Sequence, residues 1–294
     1  MSPDTVTAPP AVDIAHARSL LFVPAGDERR VEKALASDAD QVIVDLEDAI
    51  APSAKDDARS WVQGYLARRL AGRCPWLRIN GPDTPWGAAD MSVIRDIPLA
   101  GVVLPKASRQ SLDALLVNGL HVIALVETAR GVREAYDVAC HPDVVALMLG
   151  AADLGAEIGW LPRRDGLELL HARSALILDS AAAGIRPPFD AVHLDIRNPA
   201  ALTAECETAR SLGMGGKACI HPVQLGPVHS AFTPTLAEQA AAQRIVEAYE
   251  AALARGDGVT ICDGQMVDAP VVARAHAILA AAARTVTTGK GIRA

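Results

Sequence analysis

Glu127 and Asp153 each close a short apolar run, one reading Ala124-Leu-Val-Glu127 and the other Leu149-Gly-Ala-Ala-Asp153. If the two runs are adjacent strands, about 4.8 Å apart, both carboxylates can converge on one point. Two carboxylates that close repel, so either one is protonated near neutral pH or a cation sits between them. Oxygen ligands without a nearby His or Cys favour Mg2+, or Mn2+, with water and substrate completing the coordination. The competing assignment pairs each acid with a neighbouring arginine such as Arg130, or makes it a helix cap. Spacing alone leaves both open.

Arg78 lies between Leu77 and Ile79 in another apolar run. A guanidinium there needs an anionic partner, either a structural carboxylate or a bound ligand. Asp45, Glu47 and Asp48 are three acids within four residues, and Lys55, Arg59, Arg78 and Lys106 are the basic groups available to neutralise them. His221 closes a further run and precedes a proline, which suits a general base or, more simply, a hydrogen-bonded strand-end histidine. Gly213-Met-Gly-Gly216 precedes a strand rather than joining strand to helix, so it is no phosphate loop.

The elements that position these residues are short apolar runs alternating with longer Ala-rich helical patterns, the signature of a parallel sheet. Strands are expected at 20–24, 41–46, 76–80, 101–105, 121–127, 144–150, 190–196 and 217–221, with Asp195 carried on the seventh. Helices are expected at 27–37, 53–71, 87–95, 108–118, 131–139, 165–184, 199–212 and 222–230. Near-continuous Val, Ile and Leu implies strands covered on both faces. Eight such units fit a closed (β/α)8 TIM barrel better than an open doubly wound sheet, and in barrels the chemistry sits at the carboxyl ends of the strands. That is where the charged residues above fall. The barrel domain is assigned to 18–235, a loose N-terminal tail to 1–17, and a C-terminal helical extension to 236–294. Within the extension, Asp263-Gly264 reads as a turn and Asp268-Ala-Pro270 as a helix start.

The chain has 294 residues, half of them hydrophobic and only 3% aromatic, which suffices for a large aliphatic core. Its 28 basic against 35 acidic side chains give a charge of −7, which argues against nucleic acid or an anionic membrane as partner. Five scattered cysteines, none in CxxC spacing, indicate neither a disulfide framework nor a zinc site. With no leader pattern and no long apolar span, the expected location is the cytoplasm.

From Arg18 to Ala283 the chain resembles the citrate lyase beta subunit-like branch of the HpcH/HpaI aldolase and citrate lyase family. The motifs carrying the likeness are RSLLFVPAGDERRVEKALASDADQVIVDLEDAIAP (18–52), LRINGPDTPWG (77–87), GVVLPKA (101–107), LVETARGV (125–132), LMLGAADLGAEIG (147–159), GKACIHPVQL (216–225) and DGQMVDAPVV (263–272). The resemblance implies a (β/α)8 barrel, usually a homo-oligomer (trimer or hexamer), that makes or breaks a carbon–carbon bond next to a coenzyme A thioester with Mg2+. It implies Glu127 and Asp153 as metal ligands, Glu127 and Arg78 at the substrate, and Arg78 and Asp268 as catalytic. In some relatives the aspartate matching Asp268 enters a neighbouring subunit's site as base, so the extension is expected to pack on a neighbouring subunit. The segment PPFDAVHLDIRNPAAL departs from relatives that carry a tyrosine or phenylalanine near His193 and an acid near Asn198, which points to a different substrate shape.

The function expected from these features is Mg2+-dependent cleavage, or the reverse condensation, of a short hydroxyacyl-CoA of citryl, malyl or citramalyl type, with a carboxylic acid as the other small-molecule partner. Two alternatives are a divalent-metal pyruvate or oxaloacetate aldolase without coenzyme A, and a non-catalytic barrel. A cluster of acids with Arg78 and Lys106 at one strand end argues against the last.

Overall fold

The computed structural model describes residues 14–68, 73–115, 119–163 and 165–290. Eight parallel strands close on themselves in chain order: β1 (Ser19–Pro24), β2 (Gln41–Asp45), β3 (Trp76–Arg78), β4 (Gly101–Leu104), β5 (Val122–Val126), β6 (Val144–Leu149), β7 (Phe189–Asp190) and β8 (Gly216–Cys219). Closure is made by β1 on β8, with Ser19 opposite Lys217 and Leu21 opposite Cys219. The expected closed barrel is therefore what forms, rather than an open sheet.

Helices α1 (Glu28–Leu35), α2 (Lys55–Leu66), α3 (Gly87–Val93), α4 (Arg109–Asp113), α5 (Ala129–Arg133), α6 (Ala135–Ala139), α7 (Ala151–Ile158), α8 (Leu170–Ala182), α9 (Pro199–Leu212) and α10 (Leu225–Phe232) follow the strands. Their starts are written locally. Asp27, Ser108, Thr128 and Asn198 accept backbone N–H groups in the first turns of α1, α4, α5 and α9, satisfying donors that the helix itself leaves unpaired. Inside the barrel Leu20, Ile43, Trp76, Val103, Ile123, Met148 and Phe189 form one packed cluster. Trp76 fits because residue 101 is glycine: a Cβ there would stand 2.4 Å from its ring.

The structure departs from the expected elements in three places. Strand β7 has two residues, not 190–196, so Asp195 lies in an exposed loop and the acid that β7 presents is the buried Asp190. Pro187 and Pro188 precede it, and only Phe189 and Asp190 pair with the neighbouring strands, whereas the alternation of Val192 and Leu194 mimics a strand. Helix α7 was not foreseen. It is short, begins directly after β6, and ends on Gly159 in the left-handed region (φ 74). Residues 1–13 of the expected tail, and the expected helix residues 69–71 and 116–118, lie outside the described residues. Residues 14–17 are not loose: Ile14–His16 form a helical turn, and Ile14 and Ala17 are buried in the barrel cluster.

Compactness divides the chain after His229, slightly before the boundary expected at 235. The second unit contains α11 (Leu236–Ala254), an antiparallel hairpin of β9 (Thr260–Cys262) and β10 (Gln265–Val267), and α12 (Ala269–Lys290). Asp263 and Gly264 both have positive φ, the geometry of a two-residue hairpin turn. Ala242, Val246, Val267, Val272 and Ala275 form this unit's own core. All five cysteines are free. Among the described residues no helix is long and apolar enough to cross a membrane.

Candidate active site

At the carboxyl ends of the barrel strands a cavity of about 390 Å3 is lined by Phe22, Asp45, Asp48, Arg78, Glu127, Gly150 and Asp153, among others. Three of the four residues singled out from sequence, Arg78, Glu127 and Asp153, thus share one wall. The fourth, Asp268, belongs to the C-terminal unit, where its Oδ1 accepts the N–H of Val271 at 3.2 Å and caps α12.

Glu127 follows β5 and is buried. Its Oε1 accepts the backbone N–H of Lys106 at 2.9 Å. Lys106 is one of two described non-glycine residues with positive φ (47°), a conformation costing on the order of 1 kcal/mol or more that the surrounding structure must enforce. Burial pushes the Glu127 carboxyl up to about 8; the Lys106 N–H opposes this, and the charges of Glu47 and Asp153 reinforce it. Burial also raises Glu47, to about 7, against Arg78 and with help from Asp48 and Asp45. The mouth therefore holds more carboxylate than its own cations neutralise. Asp153 sits in the first turn of α7, where the helix dipole favours an anion, with Lys106 Nζ 3.8 Å away.

These residues fit a hard divalent cation. Glu127 keeps Oε2 free of the Lys106 contact, and a cation would return its carboxyl to the ionised form. Gly150 leaves the space that Glu127 occupies: a Cβ at 150 would lie 2.6 Å from Oε2. No set of three or more His, Cys, Asp or Glu side chains converges as ligands among the described residues. A site offering two carboxylates, with water and substrate for the rest, suits Mg2+, which sheds its water reluctantly.

Arg78 ends β3 and meets Asp45 at the end of β2 in a two-pronged pair, Nε to Oδ1 at 2.7 Å and Nη2 to Oδ2 at 2.6 Å. Nη1 turns toward Glu47 (2.8 Å) and Asp48 (3.2 Å). The Phe22 ring lies under the guanidinium, 5.0 Å from Cζ. Of the two partners expected for Arg78, the structure shows the structural carboxylates: one edge is held by Asp45, and Nη1 faces Glu47 and Asp48, the latter lining the cavity. Of the cations considered for the Asp45–Asp48 acids, Lys55 instead binds the carbonyls of Leu46 and Glu47 and the side chain of Asn80, and Arg59 pairs with Asp56 and Asp90. His221 is a cap, its Nδ1 accepting the N–H of Val223.

Sequence reasoning did not find a second polar group, in the wall between β7 and β8. Buried Asp190 binds Arg173 and Lys217, which also reach Glu205, and Glu205 in turn binds His193. Arg173 and Glu205 lie on helices and Lys217 within a strand, so no local spacing joins them. The available signal was the single charge in each of two strand sequences, Asp190 in Phe189-Asp-Ala-Val192 and Lys217 in Gly216-Lys-Ala-Cys219.

The HpcH/HpaI aldolase/citrate lyase family model matches residues 18–222. A (3S)-malyl-CoA thioesterase of Cereibacter sphaeroides is 36% identical over 269 residues, covering 90% of this chain and 94% of that protein. The citrate lyase subunit beta of Escherichia coli is 32% identical over 282 residues, covering 90% and 93%. The crystal structure of CitE from Mycobacterium tuberculosis in complex with magnesium, acetoacetate and coenzyme A superposes with a TM-score of 0.80 at 36% identity, covering 92% of this chain and 99% of that one. The family match runs from the residue before β1 to the turn after β8, the whole of the closed barrel, and the chain belongs to the HpcH/HpaI aldolase/citrate lyase family.

Proposed function

We propose that the chain is a Mg2+-dependent carbon–carbon lyase, or the corresponding condensing enzyme, acting on a short 3-hydroxyacyl-CoA thioester. The observation that carries this is the convergence of Glu127, Asp153 and Arg78 on one cavity at the mouth of a barrel of this family. The M. tuberculosis relative holds magnesium and coenzyme A, which supports the same cofactor and substrate class here.

Cleavage requires the substrate hydroxyl to lose its proton while the adjacent carbon–carbon bond breaks, leaving a carbonyl product and a thioester enolate that takes up a proton. Glu127 and Asp153 would hold Mg2+, which when bound supplies Lewis-acid polarisation of oxygen ligands. Arg78 presents Nη1 to developing negative charge, and Asp45 fixes the plane of its guanidinium so that no reorientation is needed during reaction. Phe22, Leu125, Met148 and Val192 line the same cavity and limit water around a reactive enolate. An acid is still needed to move the proton, and Asp268, delivered from a neighbouring subunit of a homo-oligomer (trimer or hexamer), fills that role. The enzyme is placed in the cytoplasm, where acyl-CoA substrates are available.

A second reading, hydrolysis of the thioester, is favoured by the name of the C. sphaeroides relative. A panel of short 3-hydroxyacyl-CoA thioesters, incubated with and without Mg2+, tests both. A carbonyl product trapped as its phenylhydrazone together with a shortened acyl-CoA, both dependent on Mg2+, is the expected result. Turnover of keto-acid aldols without any thioester turnover would support the aldolase alternative instead.

A further inference from the structure

A second cavity, of about 690 Å3, adjoins the first and shares Ala151, Ala152 and Val192 with it. Two alanines and a valine make a junction of little bulk and no charge. Ala151 and Ala152 open helix α7 and directly precede Asp153, so the junction begins beside one member of the carboxylate pair that fits Mg2+. Beyond it the wall includes Trp160, Leu169 and Leu194, with Ala156 on α7 and Ala204 on α9. Trp160 lies against α7 because residue 155 is glycine; a methyl group there would collide with the indole nitrogen.

Charge narrows what this space can hold. Among the described residues that line it, the acids Asp165, Glu168, Asp195 and Glu205 outnumber the arginines Arg163 and Arg173. Both arginines already hold carboxylates: Arg163 grips Asp165 with two nitrogens, at 2.8 and 2.7 Å, and Arg173 binds Asp190 and Glu205. An anionic group placed here, whether a second substrate carboxylate or the phosphates of coenzyme A, would meet net negative charge. An uncharged chain instead leaves water against Trp160, Leu169 and Leu194, which is worth about fourfold in affinity per fully buried methylene.

We infer that the second cavity receives an uncharged alkyl substituent on the hydroxyl-bearing carbon of the substrate, so that the carbonyl product is a 2-oxo acid with an apolar chain longer than methyl. The inference rests on the lyase reading above and selects within it. At that carbon a malyl-type substrate carries hydrogen, a citramalyl type carries methyl, and a citryl type carries a charged carboxymethyl group. The first two leave the second cavity unfilled, and the third puts a carboxylate among acids. The chemistry is unchanged: the carbon–carbon bond next to the thioester breaks, the hydroxyl loses its proton to become the carbonyl, and the enolate carbon gains one. The substituent adds binding only. Ala151, Ala152 and Val192, by their small size, determine whether it can pass.

The test uses the full chain with Mg2+ and has two arms. In the first, calorimetry compares pyruvate, 2-oxobutanoate, 2-oxopentanoate, 2-oxohexanoate and oxaloacetate as ligands, a readout that needs no turnover. Because the cavity is open to solvent, affinity is expected to rise about threefold per methylene, roughly 30-fold from pyruvate to 2-oxohexanoate, with oxaloacetate bound more weakly than 2-oxopentanoate. In the second, kcat/KM is measured for cleavage of 3-carboxy-3-hydroxyacyl-CoA thioesters bearing methyl or butyl at the hydroxyl carbon, with the carbonyl product read as its phenylhydrazone. Ala156→Phe and Ala204→Phe, at exposed positions that line the second cavity and not the first, are each expected to lower the butyl-to-methyl ratio of kcat/KM about tenfold or more. Affinity that stays flat or falls along the 2-oxo acid series overturns the inference. So does a ratio unaltered in both variants, the result expected if the coenzyme arm, or solvent alone, occupies the cavity. Rising affinity that both variants abolish, with no thioester cleaved, would keep the subsite and overturn the lyase reading.

Discussion

Gly150 and Glu127 are in such close contact that a methyl group at position 150 would stand 2.4 Å from Glu127 Cβ and 2.6 Å from its Oε2. The backbone at Gly150 has an ordinary negative φ (−105°), so the glycine is there for space. Gly150→Ala should displace the Glu127 carboxylate while leaving the barrel closed. A displacement near 1 Å typically costs about 100-fold in rate. Turnover should fall by about that factor and Mg2+ affinity should drop, with the circular dichroism spectrum unchanged. Near wild-type turnover would show that the glycine does not set the carboxylate.

Arg78 and Asp45 give a prediction with two outcomes. Arg78→Ala leaves buried Asp45 without its cation, which costs about 3–5 kcal/mol, so its melting temperature should drop sharply. Arg78→Lys restores one charge but not the fork. It should recover much of the lost stability and little of the activity per folded molecule. Full turnover in Arg78→Lys would confine Arg78 to the ion pair.

The barrel was legible because eight apolar strands alternate with amphipathic helices, and the positions of Arg78, Glu127 and Asp153 were legible because strand ends in such a barrel face one cavity. The two-residue β7 was not, since Val192 and Leu194 alternate with the period of a strand while only Phe189 and Asp190 pair with β6 and β8. Nor was the chain of contacts from Asp190 to His193, whose members come from two strands, a loop and two helices. Asp45 was read as one of three acids needing a cation; that Arg78 grips it by two nitrogens depends on the parallel register placing residue 45 opposite residue 78.

The raised carboxyl of Glu127 predicts a pH dependence of stability. In the unfolded chain it ionises near 4.5, in the folded chain only near 8. Between those values the folded state holds a proton that the unfolded state has released, so stability is fully present below 4.5 and is lost as pH rises toward 8, by up to about 1.4 kcal/mol per pH unit. With a chelator present, the melting temperature should fall from pH 5 to pH 8. Glu127→Gln should flatten that fall, leaving the part due to Glu47, which is raised to about 7 in the same sense. Mg2+ should restore stability most at pH 8, where its ligand ionises at least cost. Equal slopes for wild type and Glu127→Gln would contradict this account.

Asp268 caps α12 within its own unit, and action in a neighbour's site predicts more than capping does. Asp268→Asn and Glu127→Ala chains, each inactive alone, should regain activity when mixed and allowed to exchange subunits, because some sites then contain both residues intact. No recovery after demonstrated exchange would remove Asp268 from a neighbouring site.

The most direct measurement of the central claim is calorimetric titration of Mg2+ into the protein with a short keto acid present. One Mg2+ per chain should bind, and Glu127→Ala and Asp153→Ala should each abolish that binding while retaining the folded barrel. Unchanged Mg2+ binding in both variants would contradict the assignment of this carboxylate pair as the metal site.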